Sequence, residues 1–363
     1  MKGRVNAFEL KSAVNWASGL ADSNAVVPIC STVVLRFQRN RLQVQSTDLT
    51  SVATGFVRAK TEDDGGCLAI EAKSLREYLS KVGTKKNTII SIDGGTFTTG
   101  GVSVEFSPVE EDSTNLPPIL STWEDIGGLT SCIVNLPRLR LGKVSKFVQG
   151  LEGTGTALES IFAEILESGR LRISAADGMK LIRFGPEGDA VVSGLIPSKA
   201  VDMMSKMTGS ATFVLGDNFA RLSTRSNRVD TSLNHNRFPD LDEIIPTENP
   251  MVARFNTAQL KEALDTLSVV AEGGYIKLLL PKSNAVHSTA ILAYEGSTPC
   301  TASLPTRWKY EDFYISFDAK LMLDVLELCE DTVALKLYAH NKPIRIDVDN
   351  ITMAVMPILP YTP

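Results

Sequence analysis

The sequence predicts an α+β protein that contains three copies of one module. Two helical signatures each occur three times at nearly constant spacing, and short runs of alternating apolar and polar residues separate them. The length of 363 residues suits three domains of ordinary size. Hydrophobic residues make up 43% of the chain and charged residues 22%, which is typical of a globular protein with a packed core.

The first signature is an apolar residue, an asparagine and then an amphipathic helix. Successive asparagines of this signature lie 129 and 121 residues apart. Asparagine favours the N-cap because its side chain accepts hydrogen bonds from the free amides of the first turn. The predicted helices run from Asn6 to Leu20, from Asn135 to Leu151 and from Asn256 to Ala271.

The second signature is an apolar residue followed, two positions on, by a small residue and a lysine that open another amphipathic helix. Its copies lie 126 and 121 residues apart. Two unrelated α+β domains with chance similarity would not keep both signatures in register, so a repeat is favoured. The copies are Ile70-Glu71-Ala72-Lys73, Ile196-Pro197-Ser198-Lys199 and Phe317-Asp318-Ala319-Lys320.

Short alternating runs between the helices predict strands, and turn sequences rich in glycine and asparagine separate them. Proline-rich joints near 115–121 and 246–250 place the domain boundaries, which gives domains 1–127, 128–250 and 251–363. The predicted strands are 33–37, 42–45, 89–92, 102–106, 171–174, 212–215, 334–337 and 344–348.

The sequence shows no convincing catalytic motif. The three histidines, His235, His287 and His340, lack partners at metal-ligand spacing, and the glycine-rich segment 150–156 lacks the lysine of a phosphate-binding loop. The five cysteines are odd in number and far apart, which favours neither a disulfide framework nor a zinc site. We therefore predict a protein that is not an enzyme, with no catalytic residue, no metal and no cofactor.

No apolar run approaches the roughly 18 residues that a membrane-spanning helix needs. The N-terminal residues lead into a segment that carries Glu9 and Lys11, which is unlike the apolar core of a signal peptide. Together with the unpaired cysteines, this pattern predicts a protein of the reducing cytoplasm.

Positive charge is concentrated on some of the predicted helices. The formal net charge is −5, yet residues 134–150 carry four basic side chains and no acidic one, and residues 71–86 have a net charge of +3. The segment 317–331 has a net charge of −4. A solvated helix face explains each basic helix equally well, but several together could present a positive surface to phosphates. The aromatic residues of the two basic segments, Tyr78 and Phe147, fall on the apolar faces of the predicted helices, so base stacking gains no support.

Four short motifs follow one another along the chain: Ser46-Thr47-Asp48-Leu49, 175–181, Arg237-Phe238-Pro239-Asp240-Leu241 and 354–358. In this order and spacing they resemble those of the bacterial DNA polymerase III beta subunit, the beta sliding clamp family. The chain departs from that family at Met179-Lys180, where a His-Arg pair is usual, at Glu243 and Asn24, where arginines are usual, and in its extension 360–363.

The resemblance implies three repeated DNA-clamp domains per chain, with helices lining a ring and antiparallel sheets outside. It implies a processivity factor: a head-to-tail homodimer that encircles duplex DNA without sequence preference, slides on it and tethers the replicative DNA polymerase. An ATP-driven clamp loader would open the ring. The alternative is a clamp-fold paralogue that acts as a protein-interaction scaffold and does not encircle DNA.

The resemblance and the charge pattern together give three sets of candidate residues. Many of the pocket residues could equally be ordinary core residues. For DNA binding the candidates are Lys73, Arg138, Arg140, Lys143, Lys146 and Lys199. For a hydrophobic partner-peptide pocket they are Leu158, Ala176, Gly178, Met179, Lys180, Leu181, Pro239, Ile244, Ala354, Met356, Pro357 and Ile358. For the dimer interface they are Phe106, Val270, Cys300 and Leu304.

Overall fold

The structure is a computed structural model that describes residues 1–63, 66–109, 129–135, 141–148, 156–271, 274–282 and 288–359. The chain divides into two compact units. Unit 1 consists of Met1–Ser145, Ser160–Leu171 and Gly188–Asn236, and unit 2 consists of Lys146–Glu159, Arg172–Glu187 and Arg237–Pro363.

The order of elements repeats three times along the described residues. Each module has a strand, a helix, four strands, a second helix and three strands. In the first module these are β1 (Lys2–Asn6), α1 (Ala7–Ala17), β2 (Thr32–Gln38), β3 (Arg41–Thr47), β4 (Ser51–Asp63), β5 (Cys67–Glu71), α2 (Ala72–Val82), β6 (Ile89–Asp93), β7 (Thr96–Thr99) and β8 (Val102–Glu105).

The second and third modules have the same order, and one short helix, α5, lies between them. The second module contains β9 (Thr130–Asn135), α3 (Leu141–Ser145), β10 (Ser160–Leu166), β11 (Leu171–Ala176), β12 (Lys180–Phe184), β13 (Ala190–Pro197), α4 (Ser198–Ser205), β14 (Ser210–Leu215), β15 (Phe219–Ser223) and β16 (Asn227–Ser232). Next come α5 (Leu241–Ile244), then β17 (Met251–Asn256), α6 (Thr257–Val270), β18 (Tyr275–Leu280), β19 (Ser288–Tyr294), β20 (Cys300–Thr306), β21 (Phe313–Asp318), α7 (Ala319–Leu326), β22 (Thr332–Leu337), β23 (Ile344–Val348) and β24 (Ile351–Val355).

This order confirms the predicted α+β class and threefold repeat. The predicted domain boundaries at 127/128 and 250/251 stay predictions, because the first lies outside the described residues. The second falls directly before the first residue of β17.

Side-chain caps explain where several of the helices begin. The Asn6 carboxamide oxygen accepts hydrogen bonds from the amides of Phe8 at 2.9 Å and Glu9 at 3.1 Å, and Asn256 accepts one from Gln259 at 3.0 Å. These are the N-caps that the first signature predicts. In α7 the Asp318 carboxylate has the same role.

Helix α3 ends earlier than its sequence predicts. The pattern extends to Leu151, which lies outside the described residues, but the helix stops at Ser145 and residues 146–147 form a turn. The Ser145 hydroxyl donates to the carbonyl of Gly142 at 3.2 Å. A serine side chain that bonds to the preceding turn competes with the backbone ladder, which favours a helix end at this point.

Unit 1 contains an antiparallel sheet in which β4 is the central strand. The sheet has the order β8-β7-β6-β1-β4-β16-β15-β14-β9, and β3, β2 and β5 join it through β4. Helices α1 and α2 pack against each other. Their apolar faces, including Leu10, Val14, Leu75 and Leu79, are fully buried beside Phe37 in one core cluster.

Unit 2 contains two antiparallel strand groups and one helix pair. The first group has the order β11-β12-β24-β23-β22-β17, and the second has the order β20-β19-β18-β21. Helices α6 and α7 pack against each other and bury Leu264 and Met322. The edge of the second group is β20, just as β8 is the edge of the sheet in unit 1.

Three donors surround the carboxylate of Asp347 on β23. Thr352 donates to it at 2.8 Å and Arg345 at 3.0 Å, and Lys336 forms an ion pair with it. Burial alone would raise the pKa of Asp347, but the hydrogen bonds from Lys336 and Thr352 and the charge of Arg345 outweigh it. They hold the pKa below its ordinary value of 3.8.

Replacing Asp347 by asparagine is expected to lower the free energy of unfolding by about 2 kcal/mol at neutral pH, because charge-assisted hydrogen bonds are lost. A carboxylate with a lowered pKa stabilises the fold above its unfolded pKa, and this contribution is lost as the pH falls through its folded pKa. The unfolding temperature of Asp347→Asn should therefore fall less steeply than that of the native chain on acidification below about pH 4. Parallel pH profiles would contradict this assignment.

Candidate functional site

A compact hydrophobic cluster in unit 2 is formed by three strands and the short helix α5. Ala176 on β11 is the register partner of Leu181 on β12, which in turn is paired with Ala354 on β24. Because directly paired residues lie on the same face of a sheet, these three side chains form one apolar row. Leu241 of α5 and Ile245, directly after this helix, pack against the row, and all five side chains are buried.

The cluster continues to the surface through three half-buried side chains. Leu158, Phe238 and Ile244 pack against the buried residues and keep part of their area exposed. Contiguous apolar surface of this kind is a typical feature of protein interaction sites.

Helix α5 is held in place by polar contacts at its N-terminus. The Asp240 side chain accepts a hydrogen bond from the amide of Asp242 at 2.9 Å and acts as the N-cap. The Asp242 carboxylate accepts a hydrogen bond from the mostly buried Arg183 of β12 at 2.5 Å. Because α5 is too short to be stable alone, these contacts and its buried leucine determine its position.

A tight turn between β11 and β12 presents Met179 beside the cluster. One oxygen of Asp177 accepts hydrogen bonds from the amides of Met179 and Lys180, each at 2.8 Å. Gly178 has φ +90°, a conformation that residues with a side chain rarely adopt. The resulting turn leaves the Met179 side chain 42% exposed.

Lys180 is buried although it carries a charge. Its ammonium group forms an ion pair with Asp324 of α7, lies 3.8 Å from Asp177 and lies 5.2 Å from the centre of the Phe147 ring. A buried charge must be paired to be tolerated. Lys180 therefore connects β12 to α7, and its hydrogen-bonding capacity is directed into the protein.

The chain after β24 runs alongside this turn. The Met356 amide donates to the carbonyl of Met179 at 2.8 Å, and the Ile358 amide donates to the carbonyl of Ser316 at 2.8 Å. Met356, Pro357 and Ile358 are half-buried and Leu359 is 60% exposed. Apolar residues of the β11–β12 turn and of the chain after β24 thus lie next to each other.

The structure brings most of the predicted pocket residues together, but in different roles. Ala176, Leu181 and Ala354 are core residues of the cluster, Leu158 and Ile244 lie at its surface, and Gly178, Met179, Lys180, Met356, Pro357 and Ile358 form the adjoining turn and chain end. Pro239 is exposed next to Phe238.

Three members of the cluster are absent from the predicted pocket residues: Phe238, Leu241 and Ile245. Their spacing of three and four positions is the signal that could have revealed them, since apolar residues at these distances share a helix face.

The predicted DNA-contacting lysines occupy different environments. Lys73 is exposed on α2, with no ion pair among the described residues. Lys199 on α4 lies 3.6 Å from Asp48, and Lys146, after α3, lies 3.8 Å from Glu327. Lys143 is half-buried on α3. Arg138 and Arg140 lie outside the described residues.

The predicted interface residues lie on or beside edge strands or helix ends. Phe106 follows β8 and packs edge to face against Phe97, with ring centres 5.0 Å apart. Cys300 is half-buried at the start of β20, Leu304 is buried within its own unit, and Val270 is 38% exposed at the end of α6. Leu304 therefore supports β20 from the core side.

Among the residues that the structure describes, no group of three or more histidine, cysteine or acidic side chains could hold a metal ion. Burial raises the pKa of the Cys132 and Cys329 thiols to about 11, so both stay protonated near neutral pH. His340 stacks on Tyr314, with ring centres 4.3 Å apart. No helix in the described part of the chain is long and apolar enough to cross a membrane.

Comparison with curated proteins finds relatives along nearly the whole chain, although no family model matches it. The beta sliding clamp of Pseudomonas aeruginosa is 20% identical over 365 residues, which cover 96% of this chain and 97% of that protein. The beta sliding clamp of Streptomyces coelicolor is 23% identical and covers 94% of this chain, and 93% of its own length is matched.

Solved structures have the same fold. The DNA polymerase III beta subunit of Pseudomonas aeruginosa gives a TM-score of 0.85 at 18% identity, with 99% of this chain and all of that chain covered. The Helicobacter pylori beta clamp bound to a DNA ligase peptide gives 0.81 at 18% identity, and the Bartonella birtlesii sliding clamp bound to griselimycin gives 0.82 at 20% identity. Both matches cover 99% of this chain and 100% of the other.

The threefold order of elements, the helix pairs and the match to these structures define a DNA-clamp fold. The relatives agree in name and extend over almost the full length of the chain. The chain therefore has the fold of the bacterial beta sliding clamp, the DNA polymerase III beta subunit, and is similar to that family along nearly its whole length.

Proposed function

We propose that two copies of this chain form a closed head-to-tail ring that encircles duplex DNA and serves as a processivity factor. The observation that carries this proposal is the threefold order of elements within one chain. A contact between unlike surfaces closes into a ring when its rotation divides a full turn. Two chains would supply six modules.

The two edge strands are the proposed contacts between chains. β8 and β20 are both at the ends of their sheets and leave backbone groups without partners among the described strands. Such edges pair readily with a strand of another chain. We place β8 of one chain against β20 of the other, with Phe106, Val270, Cys300 and Leu304 on or beside the joint.

Contacts to DNA in such a ring are sparse and independent of sequence. The net charge of −5 opposes general adhesion to DNA, whereas exposed lysines such as Lys73 provide local positive charge. Contacts from lysine and arginine to phosphate exchange readily and do not read bases. Together with Lys143, Lys146, Lys199, Arg138 and Arg140, Lys73 is proposed to contact the duplex.

The hydrophobic cluster with the turn at Met179 is proposed to bind peptide segments of partner proteins, among them the replicative polymerase. The Helicobacter pylori clamp carries a DNA ligase peptide, and the Bartonella birtlesii clamp carries griselimycin. Methionine side chains such as Met179 and Met356 are adaptable and suit several ligands. A polymerase held on a ring that cannot leave DNA rebinds before it diffuses away, which raises its effective concentration.

The remaining parts of the proposal follow from this role. The chain acts in the cytoplasm without catalysing a reaction and without a cofactor. An external ATP-driven loader opens the ring.

Loading onto circular DNA is the direct test. The chain, loaded onto a nicked circle by the clamp loader of its own cell, is expected to stay bound through gel filtration at high salt and to be released when the circle is cut. The physical reason is that a topological link does not depend on ionic contacts, which weaken steeply with salt.

A comparison between circular and linear DNA of equal length provides the control. Equal retention on both, or peptide binding without any retention, would contradict the ring and favour a scaffold that does not encircle DNA.

A further inference from the structure

Unit 1 contains a cleft of about 870 Å³ where β4 changes its neighbouring strand. Gly55 of β4 is paired with Asn227 of β16, and four residues later Ala59 is paired with Val5 of β1. Residues 56–58 are therefore paired with neither β16 nor β1. The first turn of α1 and the β15–β16 turn at 223–228 form the other walls.

Four arginines line the cleft: Arg41, Arg58, Arg225 and Arg228. Arg41 and Arg58 are direct register partners on β3 and β4. Like charges at directly opposed positions of a sheet destabilise it. Arg41, Arg58 and Arg225 are exposed, and within the described residues none of them makes an ion pair or a side-chain hydrogen bond. The one acidic residue in the lining is Glu9.

The fourth arginine is already fixed in position. Arg228 lies 2.8 Å from an oxygen of Asp230, and its guanidinium carbon is 5.8 Å from the centre of the Phe56 ring. Phe8, in the first turn of α1, is 41% exposed in the same cleft. The helix itself offers no free amide there, because Asn6 already accepts from Phe8 and Glu9.

We propose that this cleft is a binding site for clustered phosphate groups. An unpaired arginine pair on neighbouring strands costs stability unless an anion bridges it. Arginine, unlike lysine, offers a planar fork of donors that matches phosphate oxygens in bidentate contacts. All the basic side chains in the lining are arginines. The site shares no residue with the hydrophobic cluster and does not depend on ring closure.

Two sources could supply such phosphates: a single nucleic-acid strand or a free polyphosphate. The cleft is large enough for a ligand of several groups, since ligand sites commonly have about 300–1,000 Å³. The exposed Phe8 ring offers a surface on which a base could stack, which a free polyphosphate would not use.

The test uses inorganic tripolyphosphate and a short oligothymidylate, with binding measured by calorimetry and unfolding by a thermal scan. The native chain is expected to bind at least one of the two and to unfold at a higher temperature with it. Binding of both, or of the oligothymidylate alone, indicates a nucleic-acid strand as the source. Binding of tripolyphosphate alone indicates a free polyphosphate.

We expect the variant Arg58→Gln to raise the stability of the free protein and to weaken its binding of phosphate. Relief of the repulsion from Arg41 should raise the unfolding temperature of the free protein. Binding of the phosphate probe should weaken about tenfold or more, as for the loss of a charge-assisted hydrogen bond. A merely structural arginine would not combine these effects.

Arg170→Gln is the matched control, because Arg170 is an exposed arginine of unit 1 without an ion pair in the described part of the chain. It removes the same charge and should leave probe binding unchanged. The proposal is overturned if neither probe binds, if Arg170→Gln weakens binding as much as Arg58→Gln, or if hexaglutamate binds as tightly as tripolyphosphate. Both phosphate probes are short and linear, so a ring could not retain them and the outcome is independent of the proposed clamp function.

Discussion

The variant Met179→Asp is expected to lose most of its affinity for ligands of the hydrophobic cluster, by about 30-fold or more. Met179 is 42% exposed in the turn at 177–180, and a carboxylate there would have to be desolvated against apolar groups when a ligand binds. Side chains that dominate an interface each contribute about 2 kcal/mol or more. Titration with griselimycin, followed by calorimetry, measures the loss.

The fold should not change in this variant, because the turn is built by backbone amides and Asp177 rather than by the Met179 side chain. Val26→Asp is the matched control, since Val26 is also an exposed apolar residue, at 97%, and lies outside the cluster. Stimulation of the replicative polymerase should fall for Met179→Asp and not for Val26→Asp. Equal binding by both variants would contradict the placement of the partner site.

The variant Ser303→Pro is expected to convert the proposed dimer into single chains. Ser303 is paired with Ile291 of β19 in the antiparallel register, and the next but one residue of β20 is Pro305. A proline is tolerated in an edge strand where its missing amide faces away from the neighbouring strand. The nitrogen of Pro305 is therefore expected to face away from β19. Alternation along the strand then directs the Ser303 amide outward too, toward the proposed partner strand.

Loss of this outward donor, and the bulk of the proline ring, should disrupt a sheet continued across two chains while β19 and β20 stay paired. Sedimentation should show the mass of one chain with little change in unfolding temperature. Ser303→Thr keeps the amide and should remain dimeric. A dimeric Ser303→Pro variant would show that β20 is not the joint.

The helices and their repeat could be predicted from sequence because the signals are local. Asn6 and Asn256 cap their helices as predicted, and the apolar spacing of Leu260 and Leu264 matches the buried face of α6. Capping and periodicity depend only on residues within one or two turns.

The end of α3 was harder to predict, because it is favoured by a serine side chain bond rather than by a helix-breaking residue. Which strands pair with each other could not be predicted from the sequence either. β4 pairs with β16 at Gly55 and with β1 at Ala59. These contacts depend on residues far apart in the chain, and no local pattern encodes them.

The candidate site was predictable only through its motifs. The segments around Met179 and Met356 are recognisable in sequence, and the structure joins them by the hydrogen bond between the Met356 amide and the Met179 carbonyl. The ion pair of Lys180 with Asp324 was not predictable, since lysine is ordinarily exposed and its partner comes from a helix of the next module.

The pairing of Leu181 with Ala354 has a consequence for how the protein is made. β12 is synthesised well before its neighbour β24, because about half of the 363 residues lie between them. Contacts between such distant segments form late. A nascent chain could complete its first module but would leave the apolar row at Ala176 and Leu181 without its neighbouring strand until β24 has been made.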